Sequence, residues 1–232
     1  MPLSPHISVG QLVTDVPERA RIFEKLGIDY CCGGDQSLAE ACREQDLDPD
    51  TVVRMLDTVA AAAPSPSRPN WDDAPLDDLI DHIVATHHGF LRRELPRLQD
   101  LLADVTHAHG DDVAWLAPVH NLFGTLKTEL ESHMESEEDY VFPAIRTLAK
   151  GRVLPDGSSL DTSAVEQMMA EHDDAGSLLT RLRTLTNEYT PPEGACSTFE
   201  AALQGLQELE ADMHRHVHKE NNILFPRARR LA

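Results

Sequence analysis

Two stretches decide the reading of this chain: HMESEEDYVFP, His133 to Pro143, and HVHKENNILFP, His216 to Pro226. They carry histidine, glutamate, phenylalanine and proline at identical offsets and so form an internal repeat. In each copy the histidine precedes the glutamate by four residues, His133 with Glu137 and His216 with Glu220. On an α-helix that spacing sets an imidazole and a carboxylate one above the other on the same face. A helix bundle builds a metal site by aiming such pairs inward from two helices and adding donors from the other two.

Helical periodicity surrounds the repeat in four segments, roughly 75 to 104, 112 to 149, 161 to 187 and 197 to 231, and no comparable stretch alternates as a strand would. Gly110, the GRVLPDGSS turn and the TPPEGACS turn separate them, short enough that consecutive helices must pack as antiparallel neighbours. The expected fold is all-α, an antiparallel four-helix bundle. Pro96 should kink its helix, and Pro143 and Pro226 should bend or tighten the ends of theirs. The sharpest break is AAAAPSPSRP, Ala60 to Pro69, where an alanine run meets three prolines. It sets the expected division: a small helical domain over 1–63, a linker over 64–69 and the bundle over 70–232. The small domain should hold three helices: one from Pro17 with Ala20, Phe23 and Leu26 inward, one over 37–45, and one over 49–62 with Val52, Val53, Leu56 and Val59 buried.

The remaining bundle segments offer THH, residues 86 to 88, and EH, Glu171 and His172, which brings the set to four histidines and two glutamates with His87 or His88 left open. Mixed imidazole and carboxylate donors suit iron, manganese or zinc, whereas a structural zinc site more often recruits cysteine. Six donors exceed the four that one tetrahedral ion needs, and a carboxylate can bridge, so two ions are expected. Glu129, four before His133, is an outer supporting carboxylate, a bridging ligand or an exposed charge, and Glu171 has the same three readings. His82, His107, His120, His214 and His218 fall outside the donor set. Cys31 and Cys32 adjoin a Gly-Gly turn, where they could bind a metal, exchange thiols with a partner or lie inert; Cys42 and Cys196 read as structural.

Composition narrows the function. Among 232 residues, 40 are acidic and 20 basic, and the net charge of -20 repels nucleic acid and anionic membranes. No run approaches the length of a membrane span, and four unevenly placed cysteines form no secreted disulfide framework. The N-terminus shows no basic region followed by an apolar run, so a cytoplasmic protein is expected. No phosphate loop, dinucleotide fingerprint or nucleophile elbow appears.

The chain resembles the di-iron proteins for repair of iron centres, which join a short domain bearing a cysteine pair to a hemerythrin-like bundle. The matching pieces are YCCGG at Tyr30 to Gly34, HHGFLRRELP from His87, HMESEE from His133, EHDDAG from Glu171, PPEGAC from Pro191 and HKENNILFPR from His218. The resemblance implies a hemerythrin-like fold and two iron ions per chain, with His88, His133, His172 and His216 as ligands and Glu137 and Glu220 as bridges. It selects His88 over His87. It also implies supporting or alternative ligands at His109, Glu129 and Glu171, and a thiol site at Cys31 and Cys32. The THH here stands where relatives commonly have an aromatic residue before the ligand, so His87 could perturb the pocket, with iron still expected to be retained. The implied role is repair of iron-sulfur clusters damaged by nitric oxide or peroxide, by iron donation, with damaged iron-sulfur proteins as partners and a homodimer as a reasonable assembly. The alternatives are a nitric oxide reductase or peroxidase, and an oxygen or iron sensor.

Overall fold

Short amphipathic helices with matched caps build the N-terminal part of the molecule. A computed structural model describes residues 3–62, 70–154 and 160–231. Helix α1, Val9–Asp15, starts at Ser8, whose hydroxyl accepts from the Gln11 N–H, and buries Val9, Leu12 and Val13. A 3-10 turn, Pro17–Arg19, leads into α2, Ala20–Leu26, which ends where Gly27 takes the left-handed conformation at φ 67°. Helix α3, Leu38–Glu44, begins with a reciprocal capping box between Ser37 and Glu40. Helix α4, Pro49–Ala62, opens on proline beside Asp48, whose carboxylate accepts from the Thr51 N–H. The expectation of three helices is therefore one short. Helix α1, ahead of Pro17, is the one not expected.

The bundle follows the four expected segments closely. Its first arm is α5, Leu76–His82, a π-helical turn over Ile83–His88, and α6, Gly89–His109. The second is α7, Leu116–Ser136, a π turn over Glu137–Val141, and α8, Phe142–Ala149. The third is the uninterrupted α9, Thr162–Leu185, capped by Asp161. The fourth is α10, Ser197–Lys219, a π turn over Glu220–Leu224, and α11, Phe225–Arg229. Helix α6 packs on α7 and α10, and α9 closes the ring against both. Among the described residues there is no strand, only an isolated bridge between Ser8 and Ser37. The linker expected at 64–69 lies outside the described residues.

Two of the prolines depart from the expected tightening. Pro143 and Pro226 do not tighten their arms; each follows a widened turn. Proline lacks the N–H for the bond to the fourth carbonyl back and crowds that carbonyl. Just ahead of each proline, Phe142 and Phe225 bond five residues back, to the Glu137 and Glu220 carbonyls. Helix α6 runs through Pro96 without changing type.

Two apolar clusters fill the interior. One runs from Phe23, Leu38 and Leu56 into Leu91, Phe123 and Leu206 of the bundle, so the small unit and the bundle share a core. The other holds Leu79, Ile83, Phe142, Leu224 and Phe225. Each such side chain contributes about 1.5–3 kcal/mol when fully buried. Outside both clusters, yet as deeply buried, are His88, His133, Glu137, His172, His216 and Glu220.

Candidate metal centre

The three π turns determine what faces the buried polar set. In an α-helix a residue five positions on is rotated by about 140° from the first, whereas a π turn, bonded from i to i+5, brings it back beneath. Glu137 and Glu220 open their π turns, and Phe142 and Phe225, five residues later, return to the same face. His88 closes the third π turn, where the Gly89 N–H reaches the Val84 carbonyl.

Each glutamate divides its two oxygens between two histidines on different arms. Glu137 places Oε2 3.3 Å from His88 Nε2 and Oε1 3.5 Å from His133 Nε2. Glu220 places Oε1 2.9 Å from His216 Nε2 and Oε2 3.1 Å from His172 Nε2. Two donor sets result, His88 with His216 and His133 with His172, and both carboxylates belong to each. Within a set the donor atoms lie within 4.8 Å of one another.

The repeat also clamps the histidines of its neighbours. In the first copy, Glu138 accepts from His88 Nδ1 at 2.5 Å, and the Phe142 ring stacks on His88 with centroids 5.8 Å apart. In the second, Asn221 Oδ1 accepts from His172 Nδ1 at 2.8 Å, and Phe225 stacks on His172 at 6.2 Å. Glu171 accepts from His133 Nδ1 at 2.7 Å and is itself held by Gln167. A neutral imidazole whose Nδ1 donates outward presents its Nε2 lone pair inward.

The electrostatics match a cation-binding cavity. Burial pushes both carboxyls up, but His216 and His172 hold Glu220 well below the ordinary range. At Glu137, His133 and His88 outweigh both burial and the repulsion of Glu220, and the carboxyl is again depressed. His133, despite burial, is pushed up to about 10 by Glu137, and His88 is raised by the same carboxylate. Both Glu137 oxygens, Glu220 Oε2 and His88 Nε2 are buried without a well-formed hydrogen bond. Buried anionic oxygens in that condition are costly unless a cation faces them. The residues present thus fit a pair of ions: two imidazole nitrogens and two carboxylate oxygens for each, with no thiolate in either set.

Of the residues singled out by sequence, the structure brings His88, His133, Glu137, His172, His216 and Glu220 together and sets Glu171 directly behind His133. It does not bring in His109. That residue lies at the far end of α6, about 30 Å of helix from His88, with its Nε2 3.4 Å from Cys196 Sγ. Glu129 is exposed on α7, one turn before His133, and belongs to neither donor set. Cys42 is fully buried in the core, but Cys196 is exposed at the start of α10 and is no core residue. His87 is buried, with Nδ1 3.0 Å from Asp212, the Lys219 ammonium donating to its Nε2 at 2.9 Å, and its ring parallel to His216 at 5.1 Å. Glu138 and Asn221 were missed. The available signal was their common place, one residue after each repeated glutamate.

Cys31 and Cys32 also lie at this end of the bundle. Asn222 Nδ2 donates to the Cys31 carbonyl at 2.9 Å, and His218 Nδ1 donates to the Tyr30 carbonyl at 3.3 Å. Comparison with known proteins agrees with this layout. Residues 79–228 match the hemerythrin HHE cation binding domain, and residues 6–60 match the ScdA_N domain, a domain of unknown function. The chain is 36% identical over 220 residues to the iron-sulfur cluster repair protein YtfE of Escherichia coli O81 (strain ED1a), covering 95% of each chain. The YtfE proteins of Escherichia coli O1:K1 and of Escherichia fergusonii match to the same extent, 36% over 220 residues and 95% of each chain. The chain belongs to the YtfE iron-sulfur cluster repair family. Within this family's two-part layout, the cysteine pair falls in the ScdA_N match and the His/Glu sets fall in the hemerythrin match. No helix among the described residues is long and apolar enough to cross a membrane.

Proposed function

We propose that the chain is a di-iron protein that restores iron-sulfur clusters damaged by nitrosative or oxidative stress, by donating iron. In this reading His88 and His216 hold one iron, His133 and His172 hold the second, and Glu137 and Glu220 bridge them. The observation that carries it is the division of each buried carboxylate between two histidine pairs, which a single ion would not require. A ferrous pair bound there supplies reducing electrons and open coordination positions for a small ligand. The protein's own part is orientation and dryness. Glu138, Glu171 and Asn221 fix three imidazoles from behind, while Phe142 and Phe225 cover two of them and exclude water. Imidazole and carboxylate donors hold ferrous iron less tightly than a closed thiolate cage holds a softer ion, which suits release as well as storage.

The reading divides the chain into 1–63, a linker over 64–69 and a bundle over 70–232. It has the protein act in the cytoplasm on damaged iron-sulfur proteins, with a homodimer as the assembly to be checked by sedimentation. Anaerobically purified protein should contain about two irons per chain, and His133→Ala with His216→Ala should remove most of them. Full iron retention in that double variant defeats the assigned donors. Reduced protein mixed with a nitric-oxide-damaged cluster enzyme should restore its activity without forming nitrous oxide. Catalytic nitrous oxide without client recovery makes the protein a nitric oxide reductase instead.

A further inference from the structure

A second group of donors lies outside the buried centre, in the loop between α2 and α3. The Asp29 carboxylate organises this loop: Oδ1 accepts from the Cys31 and Cys32 N–H groups at 2.9 and 3.0 Å, and Oδ2 from the Gly33 N–H at 3.0 Å. The same carboxylate meets the first thiol, with Cys31 Sγ donating to Oδ1 at 3.2 Å. The two sulfurs are 4.0 Å apart, and Cys32 Sγ contacts the main-chain oxygen of His172 at 3.8 Å. The loop floors a cleft of about 990 Å³ between the N-terminal helices and the bundle. Glu24, Asp173, Glu188 and Glu210 stand in its walls, with Lys25, Arg181 and Arg183 as the cations. Arg183 is already paired with Glu210.

These separations suit a metal. Around a tetrahedral ion with metal–sulfur bonds of about 2.3 Å, two sulfurs stand about 3.8 Å apart, and a sulfur and a carboxylate oxygen about 3.5 Å apart. The observed 4.0 and 3.2 Å lie close to those edges, with no change of backbone required. We propose that Asp29, Cys31 and Cys32 form a mononuclear site for a thiophilic divalent cation of the ferrous or zinc class, with its fourth position open to the cleft. As each metal–sulfur bond forms, the thiol proton passes to water in the cleft. Two protons leave for one divalent ion, so the charge of the loop does not change. Cys32 and burial keep the Cys31 thiol protonated otherwise, which leaves an incoming cation as the agent that makes it a ligand.

The contact with His172 places this open site against the backbone of a residue of the buried centre. Its use as a stop for iron entering or leaving rests on the iron-donation reading; its capacity to bind a metal does not. The test uses the iron-loaded, anaerobic, full-length chain carrying Cys196→Ala, so that the exposed thiol beside His109 contributes nothing. Titrated with cobalt(II), it should take up about one cobalt per chain with sulfur-to-cobalt charge-transfer absorption. Cys31→Ser or Cys32→Ser should reduce that absorption by about half, and the double change should abolish it, with circular dichroism and iron content unchanged. Asp29→Asn, which keeps an oxygen for the loop's N–H groups, should weaken cobalt binding by about tenfold. Absorption that is absent, or unchanged in the Cys31→Ser and Cys32→Ser pair, overturns the site. The two readings fail separately: iron at about two per chain without cobalt–sulfur absorption removes only the loop site, and that absorption in a chain lacking iron removes only the di-iron reading.

Discussion

His218 gives the sharpest test of how the cysteine loop is fastened to the bundle. It sits on α10, 5% exposed, with its ring edge-on to Tyr30 and its Nδ1 donating to the Tyr30 carbonyl at 3.3 Å. Burial lowers its pKa from 6.5 to about 4, against the modest opposing pull of that carbonyl. Between those values the unfolded chain binds a proton that the folded chain refuses, so stability falls as pH falls. The contribution of the neutral ring is complete above about pH 6.5, is lost progressively toward pH 4 and changes no further below that. At about 1.36 kcal/mol per unit, the loss is roughly 3 kcal/mol. His218→Gln keeps a donor for the carbonyl and cannot titrate. Urea unfolding of metal-depleted wild type and variant at several pH values should give stabilities whose difference shrinks by roughly 3 kcal/mol across this window. Contributions from His82, His87 and His214, lowered by burial, and from His88 and His133, raised by carboxylates, are common to both proteins and cancel. Parallel curves would refute the reasoning, because they would mean that His218 is as hydrated in the folded chain as in the unfolded one.

Three further expectations concern the centre and its supports. Glu138→Gln and Glu171→Gln each replace the charged acceptor behind an imidazole and should weaken iron retention by about 10–100-fold in competition with a ferrous chelator; equal retention would show that these carboxylates orient nothing. Phe142→Ala removes a buried ring packed on His88 and should cost about 3–5 kcal/mol in denaturant unfolding, with a loss under 1 kcal/mol refuting its place in the core. Gly34→Ala would drive a methyl group into the Asn222 carboxamide, which donates to the Cys31 carbonyl. Alkylation of Cys31 should then run faster than in wild type at equal iron content, and an unchanged rate would mean that the loop is not held by that contact.

How much could be read beforehand follows from where each constraint acts. The four bundle segments were legible because each exceeds twenty residues and repeats its apolar face many times. The His133–Glu137 and His216–Glu220 pairs were legible because a spacing of four has one geometric meaning on a helix. The π turns were not legible, since a single extra residue in a turn leaves composition and period almost unaltered. The choice between His87 and His88 was open to spacing and needed the resemblance, because adjacent residues differ by only about 100° on a helix. The structure separates them through partners: His88 meets Glu137, and His87 meets Asp212. His109 shows the opposite failure, a resemblance carried to a residue that the helix length removes from the site.

The repeat means more in three dimensions than a duplicated pair of donors. Each copy supplies a histidine and a carboxylate common to both donor sets from its own helix, then turns through a π bulge to deliver an acceptor and a ring to the histidine of another arm. Glu138 and Phe142 serve His88, and Asn221 and Phe225 serve His172. The phenylalanine and proline at fixed offsets follow from this geometry. Proline forbids the ordinary helical bond after the turn, the widened turn swings the phenylalanine inward, and the acceptor next to the glutamate reaches the neighbouring imidazole. The acceptors of the two copies differ in kind, a carboxylate at Glu138 against an amide at Asn221. A carboxylate behind an imidazole raises its basicity and an amide does so less. His172 is therefore the less strongly supported of the two clamped histidines, and it is the one whose main chain touches Cys32. The weaker support at His172 and the approach of the thiol loop therefore coincide on the same residue, in the half of the centre that holds His133 and His172.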